Sequence, residues 1–411
     1  MGLQTVVSGK TLDRLLLFLA VFSALLLPPI TIKETWPKIE ISDVLLPAVI
    51  AFLIRTFRKS SPRIEFISRS RNTLLIFSGF VALICVSILI NHRAGVLRDW
   101  FEPLKFIKFI AYLLAFAMAF KPIELRALLA ALFIPLVVFN MLHYFDVLGF
   151  NALVEPLYAP AHHLDLFGLN SLGEPDTKRA LGTMGNPNVN GLMFVLLLVV
   201  FIVPVNYRNG YLAERALVFA AIVGVLLCQS RTGLIAFGAV MLLYIAVLNK
   251  RFRSFGYYIV FALVVYLVLE WVGNTYLGSL GSAERIQRAG EGRLVQWRKI
   301  YATMSGYWFF GHAPSKEFFE ANGIYAESEF VLIIYRYGIV GLTLWCIGWL
   351  FWAAQCFKMK GERRFAVISL PLVYFIGATT NNPMHANKLA MLFAVAAAYV
   401  YSLTDDYFEH A

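Results

Sequence analysis

The chain has 411 residues, of which 59% are hydrophobic and only 15% are charged, and its mean hydropathy is +0.69. A soluble protein carries roughly 25% charged residues, so this composition excludes an ordinary soluble enzyme and indicates an integral membrane protein. The formal net charge of +11 reflects basic connectors between apolar runs. It is therefore a signal of membrane topology, and we do not expect a nucleic-acid partner.

The apolar residues cluster into runs that are long enough to cross a bilayer core of about 30 Å as helices. We predict an all-α polytopic membrane protein with about twelve transmembrane helices. Little chain remains for a soluble domain, so we expect residues 1–411 to form a single transmembrane domain. The predicted spans are 13–31, 41–57, 73–90, 103–120, 123–142, 188–205, 212–228, 233–248, 256–272, 329–356, 365–380 and 388–403.

The distribution of lysine and arginine among the connectors predicts the orientation of the chain. Residues 55–71, 250–253 and 358–364 are the three connectors richest in these cations. Basic connectors stay in the cytoplasm, and twelve spans place all three on the same side as both termini. The opposite connectors are therefore predicted to be extracytoplasmic.

Two connectors are much longer than the others, at residues 143–187 and 273–328, and both are predicted to be extracytoplasmic. Long ordered loops in compact proteins are usually functional. The second loop is rich in cations although it lies outside, and arginine binds phosphate through two parallel hydrogen bonds. The alternative is a solvated loop with internal salt bridges. The cations of this loop are Arg285, Arg288, Arg293, Arg298, Lys299 and Lys316, and its acidic residues include Glu284, Glu291, Glu317, Glu320 and Glu327.

The first long loop ends in a glycine- and asparagine-rich segment that leads directly into the predicted span at 188–205. Gly182 and Gly185 predict a tight turn, and Asn188 or Asn190 is expected to cap the helix that follows. A helix N-terminus beside Arg179 would bind an anion through free N–H groups. An ordinary junction between a loop and a helix is the alternative.

Arg231 lies in a very short extracytoplasmic turn between two predicted spans. An arginine at membrane depth is costly unless it is paired with an anion, a carbonyl group or water. We expect it either to reach a lipid-linked phosphate at the interface or to extend toward solvent and lipid headgroups.

These segments, taken in order, resemble the O-antigen ligase and polymerase superfamily over about residues 175–345. Each motif alone is weak, whereas four in the same order on the predicted outer side are fairly specific. The matching segments are Arg179 with Gly-Thr-Met-Gly-Asn-Pro-Asn at 182–188, Ser230-Arg-Thr-Gly233, Gly292-Arg-Leu-Val-Gln-Trp297, and Glu327-Ser-Glu-Phe with Tyr337-Gly-Ile-Val-Gly341.

The resemblance implies a fold like that of GT-C glycosyltransferases and a multi-pass protein of the bacterial inner membrane whose active site faces the periplasm. It also implies metal-independent, inverting transfer of a glycan from undecaprenyl diphosphate, with no cofactor. Polymerases of the Wzy type use lipid-linked glycans as both donor and acceptor, whereas ligases transfer the glycan to lipid A–core. Membrane lipids and a chain-length regulator protein are the other implied partners.

One position departs from the ligase pattern. Ligases place a histidine eleven residues before the first glycine of a Gly-x-x-Gly pair, and here that position is Glu327. Because a glutamate can also accept a proton from a hydroxyl group, the resemblance implies that Glu327 is the general base and favours a polymerase over a ligase. Glu327 could instead bind a sugar hydroxyl without any catalytic role.

The resemblance also assigns the remaining roles. The diphosphate is expected to bind Arg179, Arg231, Arg288 and Arg293, and additional substrate contacts are expected from Asn188, Arg285, Tyr307 and Trp308. The two aromatic residues are interpreted first as part of an interfacial aromatic belt and second as stacking surfaces for sugar rings. Arg336 is interpreted as a buried structural arginine, with Glu270 as one potential partner.

Proteins of another functional class remain as alternatives. A transporter would distribute polar residues through the bundle and commonly shows an internal repeat, whereas here the polar residues concentrate in two outer loops. A non-catalytic polysaccharide-binding membrane protein would share most of the features of this sequence. Convergence of Glu327 and the arginines would favour the enzyme.

Overall fold

The computed structural model describes residues 9–30, 38–58, 64–159, 179–203, 211–248, 283–321 and 326–403, with scattered residues between 256 and 267. For residues 9–10, 64–70, 211–212, 283–291, 318 and 320 the description covers the backbone alone. The described residues form α-helices and short 3₁₀ turns without a β-strand, and a single isolated bridge pairs Ile30 with Ile39. This agrees with the predicted all-α class.

The described helices overlap the predicted spans, and both long loops contain helices of their own. The α-helices among the described residues are α1 (Gly9–Leu26), α2 (Ile41–Arg58), α3 (Ile64–Ile90), α4 (Leu97–Ala119), α5 (Pro122–Phe145), α6 (Phe150–Tyr158), α7 (Pro187–Ile202), α8 (Tyr211–Cys228), α9 (Arg231–Val247), α10 (Ala283–Ala302), α11 (Lys316–Ala321), α12 (Glu329–Ala354), α13 (Gly361–Thr380) and α14 (Asn387–Ser402).

Among the described residues, three helical segments are long and apolar enough to cross a membrane, namely Arg71–Ile90, Pro122–Phe145 and Glu329–Lys358. Pro187–Ile202 and Arg231–Val247 are shorter apolar helices. These helices agree with a polytopic membrane protein. The total of twelve spans stays a prediction, and much of the ninth predicted span, 256–272, lies outside the described residues.

Helix α7 lies at the centre of the bundle. Nearly all of its residues are buried, and a helix that is apolar all round belongs in an interior. It packs against α8, α9, α13 and α14. Its crossing with α9 is close because Gly191 and Gly233 face each other, and a Cβ on Gly233 would lie 3.2 Å from the Gly191 Cα. This crossing brings the first turn of α7 beside the first turn of α9.

The connectors separate into two ends of the bundle. At the end that we call the basic end, Arg14 pairs with Glu124 at 3.0 Å and Arg55 pairs with Asp13 at 2.5 Å. The last turn of α2 therefore lies beside the start of α1, as the predicted topology requires.

We call the opposite end the loop end, because segments of both long loops lie there. The Lys388 ammonium donates to the carbonyl oxygens of Leu27 at 2.7 Å and Thr183 at 2.9 Å. Asn382 donates to the carbonyl oxygen of Ala326 at 2.7 Å. These contacts join the connectors after α1 and α13 to both long loops.

Candidate functional site

A tight turn precedes α7, as the glycines predicted. Gly182 and Gly185 have φ angles of +54° and +68°, in the left-handed region that favours glycine. A Cβ on Gly182 would lie 2.6 Å from Asn140 Oδ1, and one on Gly185 would lie 2.1 Å from the carbonyl oxygen of Tyr158. Packing against α5 and α6 therefore requires glycine at both positions.

The residue that caps α7 is Asn186. Its Oδ1 accepts from the backbone N–H groups of Asn188 at 2.8 Å and Val189 at 3.3 Å. The expectation that Asn188 or Asn190 caps the helix is therefore wrong, and the side-chain amide of Asn190 instead donates to Asn140 Oδ1 at 2.6 Å. Asn186 accepts hydrogen bonds from two of the N–H groups at this helix N-terminus. Fewer free N–H groups therefore remain to bind an anion than the sequence suggested.

The side chain of Asn188 joins two of the predicted motifs. Its Oδ1 accepts from Arg179 Nη2 at 2.8 Å and from the Ser230 hydroxyl at 2.9 Å. Ser230 also caps α9 by accepting from the backbone N–H of Gly233 at 3.1 Å. Arg231, the first residue of α9, is therefore adjacent to this cluster, and it is half-buried. The structure thus brings Arg179, Asn188 and the turn that carries Arg231 together.

The end of α13 connects this cluster with the start of α12. The hydroxyl groups of Thr232 and Thr380 share a hydrogen bond of 2.5 Å, which fixes the start of α9 to the last turn of α13. One residue further on, the carbonyl oxygen of Asn381 accepts from the backbone N–H of Glu329 at 3.0 Å. The two halves of the predicted site are therefore held by one short segment, residues 380–381.

Glu327 and Arg293 form an ion pair at the loop end. Arg293 Nε lies 2.5 Å from Glu327 Oε2, and the two side chains are 35% and 54% exposed, respectively. The glutamate at the predicted base position and one of the predicted arginines are thus in direct contact. Because both side chains retain access to solvent, a polar substrate could reach them.

The backbone on both sides of Glu327 is fixed. The carbonyl oxygen of Ala326 accepts from Asn382, and the Ser328 hydroxyl donates to the carbonyl oxygen of Ala378 at 3.0 Å. Ser328 is the residue immediately before α12. The Glu327 side chain therefore projects from an anchored segment, although it is itself exposed.

The side chains of Arg285 and Arg288 lie outside the described residues. Their backbone belongs to α10, the helix that also carries Arg293. Whether these two arginines reach the diphosphate therefore stays a prediction.

Tyr307 and Trp308 lie in a turn that packs against a kink in α12. The kink is at Gly338, whose φ of +66° and ψ of −168° are not helical. The freed backbone N–H of Ile339 donates to the carbonyl oxygen of Trp308 at 2.8 Å. A Cβ on Gly338 would lie 2.1 Å from the carbonyl oxygen of Phe309, so this close approach requires glycine.

The aromatic side chains of this turn remain partly exposed. Tyr307 stacks on His312 with the ring centroids 3.9 Å apart, and Trp308 stacks on Tyr301 at 5.9 Å. Burial lowers the pKa of His312, whose Nε2 lies 2.9 Å from the carbonyl oxygen of Thr303. The exposed rings fit either an interfacial belt or a stacking surface for sugars.

A cluster of buried charges around Glu102 was not predicted from the sequence. Glu102 on α4 is fully buried and lies 2.7 Å from Lys316, 3.4 Å from Arg336 and 3.5 Å from His385. Burial lowers the pKa of Lys316 to about 8, although Glu102 opposes the change. A glutamate directly before the predicted span 103–120 was the available signal, since charges close to membrane depth are usually paired or functional.

Arg336 is buried, as the sequence predicted. Its partner in the structure is Glu102, whereas the potential partner Glu270 lies outside the described residues. The cluster therefore joins α4, α11, α12 and the connector before α14.

Residues 216–346 match the family model described as O-antigen ligase. The match begins in α8 and ends in α12, so it includes Arg231, Arg293 and Glu327, whereas Arg179 and Asn188 precede it. No match to the chain was found among curated proteins. The predicted resemblance to the O-antigen ligase and polymerase superfamily is confirmed over the matched residues, and the match does not separate polymerases from ligases.

Proposed function

We propose that this chain, whose residues 216–346 match the O-antigen ligase family model, is a polymerase of lipid-linked glycans. It joins oligosaccharide repeat units carried on undecaprenyl diphosphate into O-antigen or a related surface polysaccharide. The reaction takes place at the periplasmic face of the bacterial inner membrane. The donor and the acceptor are both lipid-linked glycans.

The observation that carries this proposal is the ion pair between Glu327 and Arg293. Glycosyl transfer from a diphosphate needs a base for the acceptor and a cation for the leaving group. Here a carboxylate and a guanidinium lie 2.5 Å apart on a solvent-accessible face. Segment 380–381 connects this pair with Arg179 and Arg231, which supply further positive charge at the same end of the bundle.

Glu327 acts as the general base in this mechanism. Its carboxylate takes the proton from an acceptor sugar hydroxyl while that oxygen forms a bond to the anomeric carbon of the donor. The bond between the anomeric carbon and the diphosphate oxygen breaks, and its electron pair stays on the diphosphate. One displacement inverts the anomeric configuration, and the growing chain moves from its own carrier onto the incoming repeat unit.

The arginines stabilise the charge that develops on the diphosphate as it leaves. Arg179 is held by Asn188, so its guanidinium is already oriented before substrate binds, which is the condition for efficient electrostatic stabilisation. Arg293 contacts Glu327 in the free protein. As the diphosphate binds, Arg293 turns toward it and releases the carboxylate for proton transfer.

The second candidate function is a ligase that transfers the glycan to lipid A–core. Glutamate at position 327, where ligases carry histidine, favours the polymerase. A non-catalytic polysaccharide-binding or transport protein is the candidate from another class. The contact between Glu327 and Arg293 favours an enzyme, because it joins a candidate base to a candidate anion-binding group.

Purified protein in lipid vesicles separates these candidates. With a lipid-linked repeat unit as the only substrate, a polymerase produces a ladder of lipid-linked chains on a gel. A ligase produces no ladder and transfers glycan only when lipid A–core is added. A binding or transport protein leaves both substrates unchanged.

A further inference from the structure

A histidine lies between two buried carboxylates, Glu102 on α4 and Glu329 in the first turn of α12. His385 Nε2 lies 3.5 Å from Glu102 Oε2, and His385 Nδ1 lies 3.6 Å from Glu329 Oε1. Glu102 and Glu329 are both fully buried, and the histidine side chain is only 9% exposed. The two ring nitrogens therefore face two buried carboxylates, and little solvent reaches these contacts.

Glu102 is a fixed anchor for this histidine. Its carboxylate also contacts Lys316 at 2.7 Å, Lys105 at 3.2 Å and Arg336 at 3.4 Å. A buried carboxylate surrounded by several cations has little freedom to move, since leaving them would expose an uncompensated charge. Glu102 on α4 therefore holds one side of the His385 ring in a position that is the same with and without substrate.

Glu329 connects the histidine to the proposed base. Its Oε2 accepts from the backbone N–H of Met384 at 2.9 Å, and its own backbone N–H donates to the carbonyl oxygen of Asn381. Residues 381–385 therefore hold Glu329 through its backbone and its side chain. Because Glu329 is two residues after Glu327, this arrangement determines where the backbone of Glu327 lies.

We propose that His385 is a positioning residue for the glycosyl transfer reaction. It links Glu102 to Glu329 and thereby fixes the position of the segment from which the Glu327 carboxylate reaches the acceptor hydroxyl. His385 is buried away from the exposed face and does not contact the substrate in this role. The inference rests on the proposed function, because the role of His385 is to position Glu327, which is the proposed base.

Two substitutions test the role of His385. His385→Leu removes both contacts, whereas His385→Asn places an amide nitrogen close to the former Nδ1 position and keeps the contact with Glu329. A misplacement of about 1 Å can cost about 10²-fold in rate, so we expect a loss of that order in kcat for the leucine variant. The asparagine variant recovers part of the loss. KM for the lipid-linked donor stays unchanged, because Arg179 and Arg231 are on the other side of segment 380–381.

Hydrogen exchange of the backbone provides a readout that is independent of activity. Exchange in a peptide covering 326–333 is expected to accelerate in the leucine variant, whereas a peptide covering 187–195 at the start of α7 keeps its protection. Acceleration in both peptides would indicate a general loss of stability and would overturn the positioning role. Unchanged exchange in 326–333 would overturn it as well.

A double-mutant cycle tests whether His385 acts through Glu329. If it does, adding Glu329→Gln to His385→Leu costs much less than Glu329→Gln costs alone, since neighbours in one network are not additive. Additive losses would contradict the proposal. The Glu327→Gln variant tests the proposed function separately. Full activity of that variant would show that Glu327 is not the base, whereas the hydrogen-exchange result would still test whether His385 positions the segment.

Discussion

Arg293 Nε lies 2.5 Å from Glu327 Oε2, so the proposed base and the proposed anion-binding group are ion-paired in the free protein. The pair holds the two groups close to each other before substrate arrives. It also means that the two residues should contribute to the reaction as a unit.

Arg293→Gln should lower turnover by about 10²–10³-fold, the usual effect of removing one donor to a developing anion. The measurement is the initial rate of chain extension with a lipid-linked repeat unit. Arg298→Gln is the matched control, because Arg298 is an exposed arginine on the same helix, and it should extend chains normally. Equal losses in both variants would indicate that the total charge of α10 matters, and they would contradict a specific role for the pair of Arg293 and Glu327.

Asn188→Asp should weaken binding of the lipid-linked diphosphate. Aspartate keeps an acceptor for Arg179 and Ser230, but its charge neutralises the guanidinium that the diphosphate needs. KM for the donor is therefore expected to rise while the protein stays folded. The thermal unfolding midpoint is measured together with KM, because a loss of structure would also weaken binding. A normal KM for the aspartate variant would contradict the role of Asn188.

Arg179→Lys should also impair donor binding, because an ammonium does not reproduce the planar fork of a guanidinium. Arg364→Lys, an exposed arginine near the start of α13, is the control and should behave like the wild type. A normal KM for the Arg179→Lys variant would remove Arg179 from the diphosphate site.

The predicted topology places the end of α2 in the cytoplasm and the turn at Tyr307 in the periplasm. A cysteine introduced as Arg58→Cys should react with a membrane-impermeant thiol reagent only when the cytoplasmic side is open. Phe309→Cys, at an exposed position of the loop end, should react in intact cells with a permeable outer membrane. Labelling of position 58 in those cells would contradict the predicted orientation and would place the candidate site on the cytoplasmic side.

Gly338→Ala should destabilise the protein, because a Cβ there would lie 2.1 Å from a carbonyl oxygen and the φ angle is +66°. Backbone strain of this kind costs about 1–3 kcal/mol. Gly292→Ala is the control, since a Cβ at that helical position meets nothing within 4 Å, and alanine should stabilise the helix by up to about 1 kcal/mol. Thermal unfolding midpoints in detergent measure both, and a higher midpoint for Gly338→Ala would contradict the role of the kink.

Hydrophobic runs predicted the helices well. The predicted spans 188–205 and 329–356 correspond to α7 and α12, because uninterrupted apolar residues are bounded by proline, asparagine or serine at their starts. The expected convergence of Glu327 with an arginine of the second long loop is also present in the structure, as the pair with Arg293.

The cap of α7 could have been predicted more accurately. The residue before a proline is disfavoured in helical conformation, so Asn186, which precedes Pro187, was the natural capping position. Its φ of −153° and ψ of +126° are extended, as that rule requires.

The cluster at Glu102 could not be predicted from local sequence. His385 follows Glu102 by almost three hundred positions, and no spacing rule connects a residue on α4 with the connector before α14. Only the packing of α14 against α4 brings them together. Ion-pair partners of this kind depend on the tertiary fold, which is why Arg336 could be recognised as buried while its partner could not.

The most direct test of the central claim compares wild-type protein with Glu327→Gln in vesicles that contain a lipid-linked repeat unit. Glutamine keeps the size and polarity of the side chain and loses the ability to take a proton. The variant is expected to bind the lipid-linked substrate normally, and its chain-extension rate is expected to fall by about 10²–10⁴-fold, the usual contribution of a general base. A ladder of products that forms at the wild-type rate would contradict the assignment of Glu327 as the base.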